Sequence, residues 1–400
     1  MKKLPLLLLF FLSLFSSTES KAQWVTIPDP NFVAFLQQNY PTCMNGNLMD
    51  TTCAGIVGAT NVNCWNRAIQ NLDGIQYFDA LLSLYCYSNQ LTSLPALPAN
   101  LQFLDCIYNQ LTSLPALPAS LQTLYCYYNQ LTSLPALPAS LQFLSFGYNP
   151  LTSLPALPAS LQYLSCSSNQ LTSLPALPAS LQSLYCELNQ LTSLPALPAS
   201  LQYLSCSSNQ LTSLPALPAN LRYLYCNNNQ ITCFPNLPVS LTSPGYFDIS
   251  NNPFTCLPNY VPAMNGTSYL NYPLCIDNDL INNPNACQGS KAIQGYVYQD
   301  DNTNCIFDSS DAGIKNIPLQ LYDGNNYLLS TFYSLNNGVY NWNVDTGAYT
   351  VVLDTANQPY AAACIVDSTV VLDTINPLAL NVNFAIGCKP GFDVGTKSVS

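Results

Sequence analysis

Oxygen-bearing side chains between Asp300 and Asp311 stand at the spacing of a twelve-residue calcium loop. Asp300, Asn302, Asn304, Asp308 and Asp311 fall at positions 1, 3, 5, 9 and 12, and the Ile306 carbonyl falls at position 7. Ca2+ wants such an oxygen cage. Two departures weigh against it: Cys305 stands where glycine makes the sharp turn, and Asp311 is shorter than the usual bidentate glutamate. The alternative is a solvated Asx-rich hairpin loop, and Ca2+ is the one cofactor the sequence suggests. Histidine is absent, which removes Ser-His-Asp and Cys-His catalysis and every His-containing zinc site. No carboxylate pair sits in a catalytic context, so the chain reads as a non-enzyme. Its other chemical resource is aromatic. Tyr85, Phe103, Tyr125, Phe143, Tyr163, Tyr185, Tyr203, Tyr223 and Tyr225 recur along one stretch, offering rigid amphipathic contact area of the kind favoured at interfaces.

What positions these rings is a repeat. Leu151 to Gln170 reads LTSLPALPASLQYLSCSSNQ, and the same twenty residues return seven times, without insertion, from Leu91 to Gln230. Such self-similarity marks a solenoid, in which each unit buries its apolar side against its neighbours. Leu164 and Cys166 alternate with Tyr163, Ser165 and Ser167, which is strand periodicity: one set points inward and the other faces solvent. Asn169 turns the chain, and its column from Asn89 to Asn229 is placed to form an internal hydrogen-bonded ladder. The return leg LPALPAS carries two prolines, which exclude helix interior and central strand, so it is extended, near polyproline II.

The seventeen cysteines divide into two classes. Cys64, Cys86, Cys106, Cys126, Cys166, Cys186, Cys206 and Cys226 stand in the inward column, with Phe146 replacing one. Parallel strands lie about 4.8 Å apart, but parallel Cβ vectors fit poorly with a disulfide dihedral near 90°. These eight are therefore expected as buried free thiols. Cys233 and Cys256 occupy one repeat position on adjacent turns where the repeat decays, which suggests a Cys233–Cys256 staple over the last rung. Cys43–Cys53, Cys275–Cys287 and Cys364–Cys388 are the further expected pairs, leaving Cys305 without a mate.

LPALPASLQYLSCSSNQLTSLP resembles the short class of leucine-rich repeat found in effectors of bacterial pathogens and in secreted proteins of the Bacteroidota. Cysteine in the inward column and the flanking domains favour the second group. This resemblance implies a leucine-rich repeat horseshoe without helices, over roughly residues 27–258. GYVYQDDNTNCIFDSSDAGIKNIPLQLYD, followed by NNGVYNWNVDTGAYTVVL, resembles the B-type repeats of bacterial surface adhesins, implying a stalk or spacer that is sometimes calcium-stabilised.

The expected fold is mainly β: a leucine-rich repeat solenoid of parallel strands with a helical N-terminal cap, then a C-terminal antiparallel β-sandwich. Residues 1–22 read as a secretory signal, with Lys2 and Lys3 before the apolar run Leu4 to Phe15 and a small-residue site at Ser20–Ala22. Residues 23–80 are the cap and a degenerate first rung, with Asp29 as N-cap, Pro30 opening a helix, and Phe32, Phe35 and Leu36 on its buried face. Residues 81–258 are the solenoid, 259–291 a polar linker, 292–388 the sandwich, and 389–400 the start of a further segment. No later segment approaches a transmembrane span. The chain is therefore expected to be exported, to the extracellular space or the outer cell surface.

Only 7% of residues are charged, and the net charge of −11 supplies no basic stripe for nucleic acid. From Leu81 to Ser240 only Asp105, Glu187 and Arg222 carry charge. The leading expectation is a binding or adhesion protein that recognises an extracellular protein or a neutral glycan through the concave strand face. The alternative is a passive structural or spacer module without a ligand.

Overall fold

The computed structural model describes residues 23–272, 275, 287, 292–299, 311–335, 338–343, 347–354, 360–362, 367–372, 378–379 and 382–388. The expected signal segment, the segment 389–400 and Cys305 fall outside these residues. No helix among the described residues is long and apolar enough to cross a membrane.

Ten short parallel strands, from Asn61–Asn63 to Phe247–Asp248, form one sheet in which each pairs with the next along the chain. The register advances by one repeat per rung: Tyr163 faces Ser183, and Ser183 faces Tyr203. Alternation sets the faces as expected. Leu164, Cys166, Leu161 and Leu171 are wholly buried while Tyr163 and Ser165 are half-buried, and each buried leucine stabilises the stack by roughly 1.5–3 kcal/mol.

The asparagine column closes each turn. Asn169 Nδ2 donates to the carbonyls of Cys166 (3.0 Å), Ser167 (3.2 Å) and Phe146 (3.3 Å), and its Oδ1 accepts from Leu151 N–H at 3.1 Å. The residue before each of these asparagines, from Ser88 to Asn228, is left-handed, with φ between 50° and 56°. Serine, tyrosine and leucine hold this conformation at roughly 1–2 kcal/mol each, because the asparagine fixes the carbonyls on either side. On the return leg, prolines leave carbonyls without amide partners. The Ser160 hydroxyl answers, lying 2.7 Å from Ala139 O and 2.6 Å from Leu141 O, and serines 120, 140, 180 and 200 repeat the bridge.

The N-terminal cap is built on α1 (Pro30–Asn39), which buries Phe32, Phe35 and Leu36. Asp29 caps the helix, accepting from the amides of Asn31 and Phe32, while its second oxygen accepts from Gln70 and Asn71 of the first rung at 2.6 and 3.1 Å. One carboxylate thus fastens helix to solenoid. Cys43–Cys53 closes the loop behind it.

The other end departs from expectation. Residues 259–272, the start of the expected linker, lie over the last rung: Val261, Ala263 and Met264 are wholly buried, and Ala263 N–H donates to Leu241 O at 2.9 Å. Asn259 exchanges two hydrogen bonds of 2.8 Å with the Leu237 backbone. The disulfides follow this fold-back. Cys233 joins Cys287 and Cys256 joins Cys275, replacing the expected Cys233–Cys256 and Cys275–Cys287 pairs. The reason is geometric: residues in register on adjacent turns project side by side, whereas Cys287 and Cys275 come within Cα–Cα distances of 5.3 and 5.0 Å of Cys233 and Cys256, inside the range a disulfide spans. The sulfurs of Cys256, Cys275 and Cys287 all lie within 4.8 Å of one another. Non-reducing peptide mapping should recover Cys233–Cys287 and Cys256–Cys275, and Cys275→Ser should lower stability by about 2–4 kcal/mol. A Cys233–Cys256 peptide would overturn this arrangement.

Beyond residue 291 the strands form two sheets. One is antiparallel, in the order Leu328–Tyr333, Pro318–Asp323, Gly347–Leu353, Asp367–Leu372. The other is centred on Ala292–Gln299, which pairs antiparallel with Val339–Asn343 but parallel with Leu378–Ala379 and Phe384–Cys388. The domain's first and last strands thus meet, so this sheet is mixed rather than wholly antiparallel. Phe332 of one sheet packs edge-on to Trp342 of the other, with ring centres 6.1 Å apart.

The strand face as candidate functional site

Each rung sends the two flanking side chains of its strand outward, so the repeat arrays aromatic rings one rung apart. Tyr85 packs on Phe103 at 4.8 Å between ring centres, and Phe103 on Tyr125 at 5.7 Å. Phe143 packs on Tyr163 at 6.2 Å and Tyr163 on Tyr185 at 5.4 Å. Tyr203 stacks on Tyr223 at 3.8 Å. The Tyr225 hydroxyl donates to Gly245 O at 2.7 Å, which ties the last full rung to the insertion after it. The structure therefore gathers the nine expected residues on one face, in neighbouring groups, most of them half-buried and Phe143 exposed.

A second aromatic row runs along the left-handed column at the edge of this face. Tyr108 stacks on Tyr128 at 4.4 Å and Tyr128 on Tyr148 at 4.2 Å. A hydroxyl hydrogen bond between Tyr128 and Tyr148 pushes the Tyr128 phenol up to about 12. Burial pushes the Tyr163 and Tyr185 phenols up as well, and burial likewise raises the Asp105 carboxyl. With Asp105, Glu187 and Arg222 the only charged residues from Leu81 to Ser240, the face is an almost neutral surface of rings and hydroxyls.

Sequence reasoning missed three contributors. Trp65, on the degenerate first rung, stacks on Tyr87 at 5.5 Å and is 46% exposed. Tyr246, from the insertion, leans on Tyr223 at 4.4 Å. Neither lies in the regular repeat, so periodicity gave no signal for them. The third is a break in the rows. At rung 143–150 the sequence FGYNP replaces the usual pattern, and Gly147 leaves a gap where Tyr127 stands one rung earlier. A cleft of about 330 Å³ opens there, lined by Ser145, Tyr148, Tyr163, Ser167, Ser168 and Glu187 among others. Among the described residues, the buried side-chain oxygens without a hydrogen-bond partner are Ser167 Oγ, Ser168 Oγ and Glu187 Oε2. The signal available in the sequence was Glu187 itself, one of only two carboxylates on the regular rungs.

Other expected site residues lie elsewhere. Asp300, Asn302, Asn304, Ile306 and Asp308 fall outside the described residues, and Asp311 stands just before the short strand Ala312–Gly313. Cys364 also falls outside them, so the Cys364–Cys388 pair does too, although Cys388 ends the strand Phe384–Cys388. On the inner side of the sheet, Cys64, Cys86, Cys106, Cys126, Cys166, Cys186, Cys206 and Cys226 are buried and unbonded to one another.

Comparison with known proteins gives matches to two parts of the chain. A family model described as leucine-rich repeats (two copies) matches residues 199–239, and one described as an SdrD B-like domain matches residues 291–369. No curated protein matches the chain at a significant level. Among solved structures, YopM from Yersinia enterocolitica is 37% identical over 46% of this chain and 45% of its own, with a TM-score of 0.40. YopM from Yersinia pestis, described as a leucine-rich effector protein, is 30% identical over 50% of this chain and 68% of its own, with a TM-score of 0.38. The functional domain of InlJ from Listeria monocytogenes, described as including a cysteine ladder, is 17% identical over 88% of this chain and 99% of its own, with a TM-score of 0.41. The chain thus spans less than half the length of the first of these proteins.

Proposed function

We propose that this chain, which carries leucine-rich repeats and an SdrD B-like domain, is an adhesion-type binding module whose strand face is the recognition surface. One observation carries the reading: rings and hydroxyls cover the outward side of the sheet, and almost no charge interrupts them from Leu81 to Ser240. Rigid amphipathic rings lose little conformational freedom on binding, and such surfaces supply binding energy without long-range attraction. A neutral partner, a polar protein surface or a glycan, suits this face better than a charged polymer.

The module works outside the cytoplasm, a reading supported by three disulfides among the described residues. Its mature N-terminus lies near Gln23, which N-terminal sequencing of the exported protein would check.

Tight stacking such as Tyr203 on Tyr223, at 3.8 Å, favours a second reading in which the rings only brace the solenoid. Replacing Tyr125, Phe143, Tyr163 and Tyr185 with serine, which these columns carry on other rungs, separates the two. Binding to cells or to extracted glycans should fall at least tenfold while cooperative unfolding persists. Undiminished binding by a folded variant would move the function off this face.

A further inference from the structure

We infer that the gap at Gly147 is a subsite for one neutral hexopyranose ring, held by the unpartnered oxygens of Ser167, Ser168 and Glu187. This rests on the strand face being the recognition surface and names the chemistry recognised there. Buried polar atoms in native folds are almost always paired. This chain follows that rule at each asparagine of the ladder, yet leaves three oxygens unpartnered on two adjacent rungs. Ser167 is 8% exposed, so its hydroxyl is not simply solvated. Two rungs on, the equivalent Ser207 hydroxyl donates to Asn227 at 2.5 Å. Ser167 makes no such bond to Glu187, although the backbones are joined there by Ser168 N–H donating to Glu187 O at 2.9 Å.

The donor and acceptor character of the three groups selects the ligand. A carboxylate only accepts, whereas each serine hydroxyl donates one proton and also accepts. An ammonium group would satisfy Glu187 but leave both serine protons unmatched. A phosphate or carboxylate would take the serine protons but meet the Glu187 charge at close range. Adjacent ligand hydroxyls, which donate and accept, answer all three. The walls fit the same ligand, because Tyr148 and Tyr163 offer aromatic surface beside these hydroxyls, and a pyranose ring likewise carries C–H and O–H groups together. The volume of about 330 Å³ lies within the range of small-molecule clefts and admits a single sugar ring. Gly147 keeps it open: a Cβ there would come 3.0 Å from Ser167 O, at the floor of the cleft.

The test titrates the whole protein with the methyl glycosides of glucose, galactose and mannose, followed by saturation-transfer NMR. At least one should bind with a Kd on the order of millimolar. Glu187→Gln and Ser167→Ala should each weaken it about tenfold or more. Gly147→Tyr, the residue this column carries at 87 and 127, should abolish it while leaving the unfolding transition cooperative. Binding of butylamine or methyl phosphate in preference to all three sugars would overturn the inference. So would sugar binding that is unchanged in Glu187→Gln and Gly147→Tyr, or no sugar binding at all. A cell or protein partner that still needs Tyr125, Phe143, Tyr163 and Tyr185 in that last case would leave the face as the recognition surface and remove only the sugar subsite. Loss of both would remove both.

Discussion

Raising the pH from 8 to 10.5 is expected to unfold the solenoid more effectively than a single substitution. Eight buried free thiols line the core: Cys64, Cys86, Cys106, Cys126, Cys166, Cys186, Cys206 and Cys226. Burial holds each of them above its ordinary value of 9.0, Cys64 at about 12 and the others well above 9.0. Above pH 9 the unfolded chain sheds these protons and the folded chain keeps them. Stability is therefore fully present below pH 9 and falls as pH rises toward the folded values. Each such thiol removes about 1.4 kcal/mol per pH unit in that window. Eight together remove up to roughly 11 kcal/mol per unit, comparable with the whole stability of an ordinary domain. Urea midpoints measured across this range should drop steeply from about pH 9. Replacing Cys106, Cys126, Cys186 and Cys206 with valine should roughly halve the slope, because half the titrating column is gone. The phenols raised by burial remain in both proteins, so the difference isolates the thiols. A midpoint that stays level to pH 10.5 would sink the argument.

Asn169→Ala should cost about 3–5 kcal/mol, a loss that neither the size of the residue nor its helix or strand preference would suggest. The side chain is buried and joins four backbone groups: Leu151 N–H and the carbonyls of Phe146, Cys166 and Ser167. Alanine leaves Leu151 N–H buried without a partner, at about 1–3 kcal/mol. It takes one bond from each carbonyl, at about 0.5–1.5 kcal/mol apiece, although Phe146 O keeps Asn149, Cys166 O keeps Asn189 and Ser167 O keeps Tyr148 N–H. It also releases the left-handed residue Ser168, whose φ of 54° the asparagine holds in place. Because each rung meets only its neighbours, the damage should also divide the array, broadening the unfolding transition. Ser160→Ala, which removes one bridge on the return leg, is the control and should cost only about 1 kcal/mol. Equal effects from the two substitutions would deny the ladder its special role.

A repeat encodes its own contacts by translation. Once Leu164 and Cys166 are read as inward and Tyr163 as outward, the residue each meets is its counterpart one repeat away, so the sequence by itself determined the solenoid, its buried thiols and its aromatic face. Asp29 was legible as an N-cap for an equally local reason, since its partners Asn31 and Phe32 are two and three residues on. Its second role, holding Gln70 and Asn71, was not legible, because that contact joins two unlike segments. The same distinction explains the cysteines. That those of the inward column stay unbonded followed from their register, but the partners of Cys233 and Cys256 depended on where Cys287 and Cys275 lie beside the last rungs. Tertiary structure alone placed Trp65 on Tyr87, laid Tyr246 against Tyr223, and joined the first and last strands of the C-terminal domain in parallel. It also showed that the replacement at Gly147 opens a cleft beside Ser167, Ser168 and Glu187. Periodicity specifies what every rung shares; where one rung departs from the pattern, only the direction of its neighbours' side chains in space decides what fills the gap.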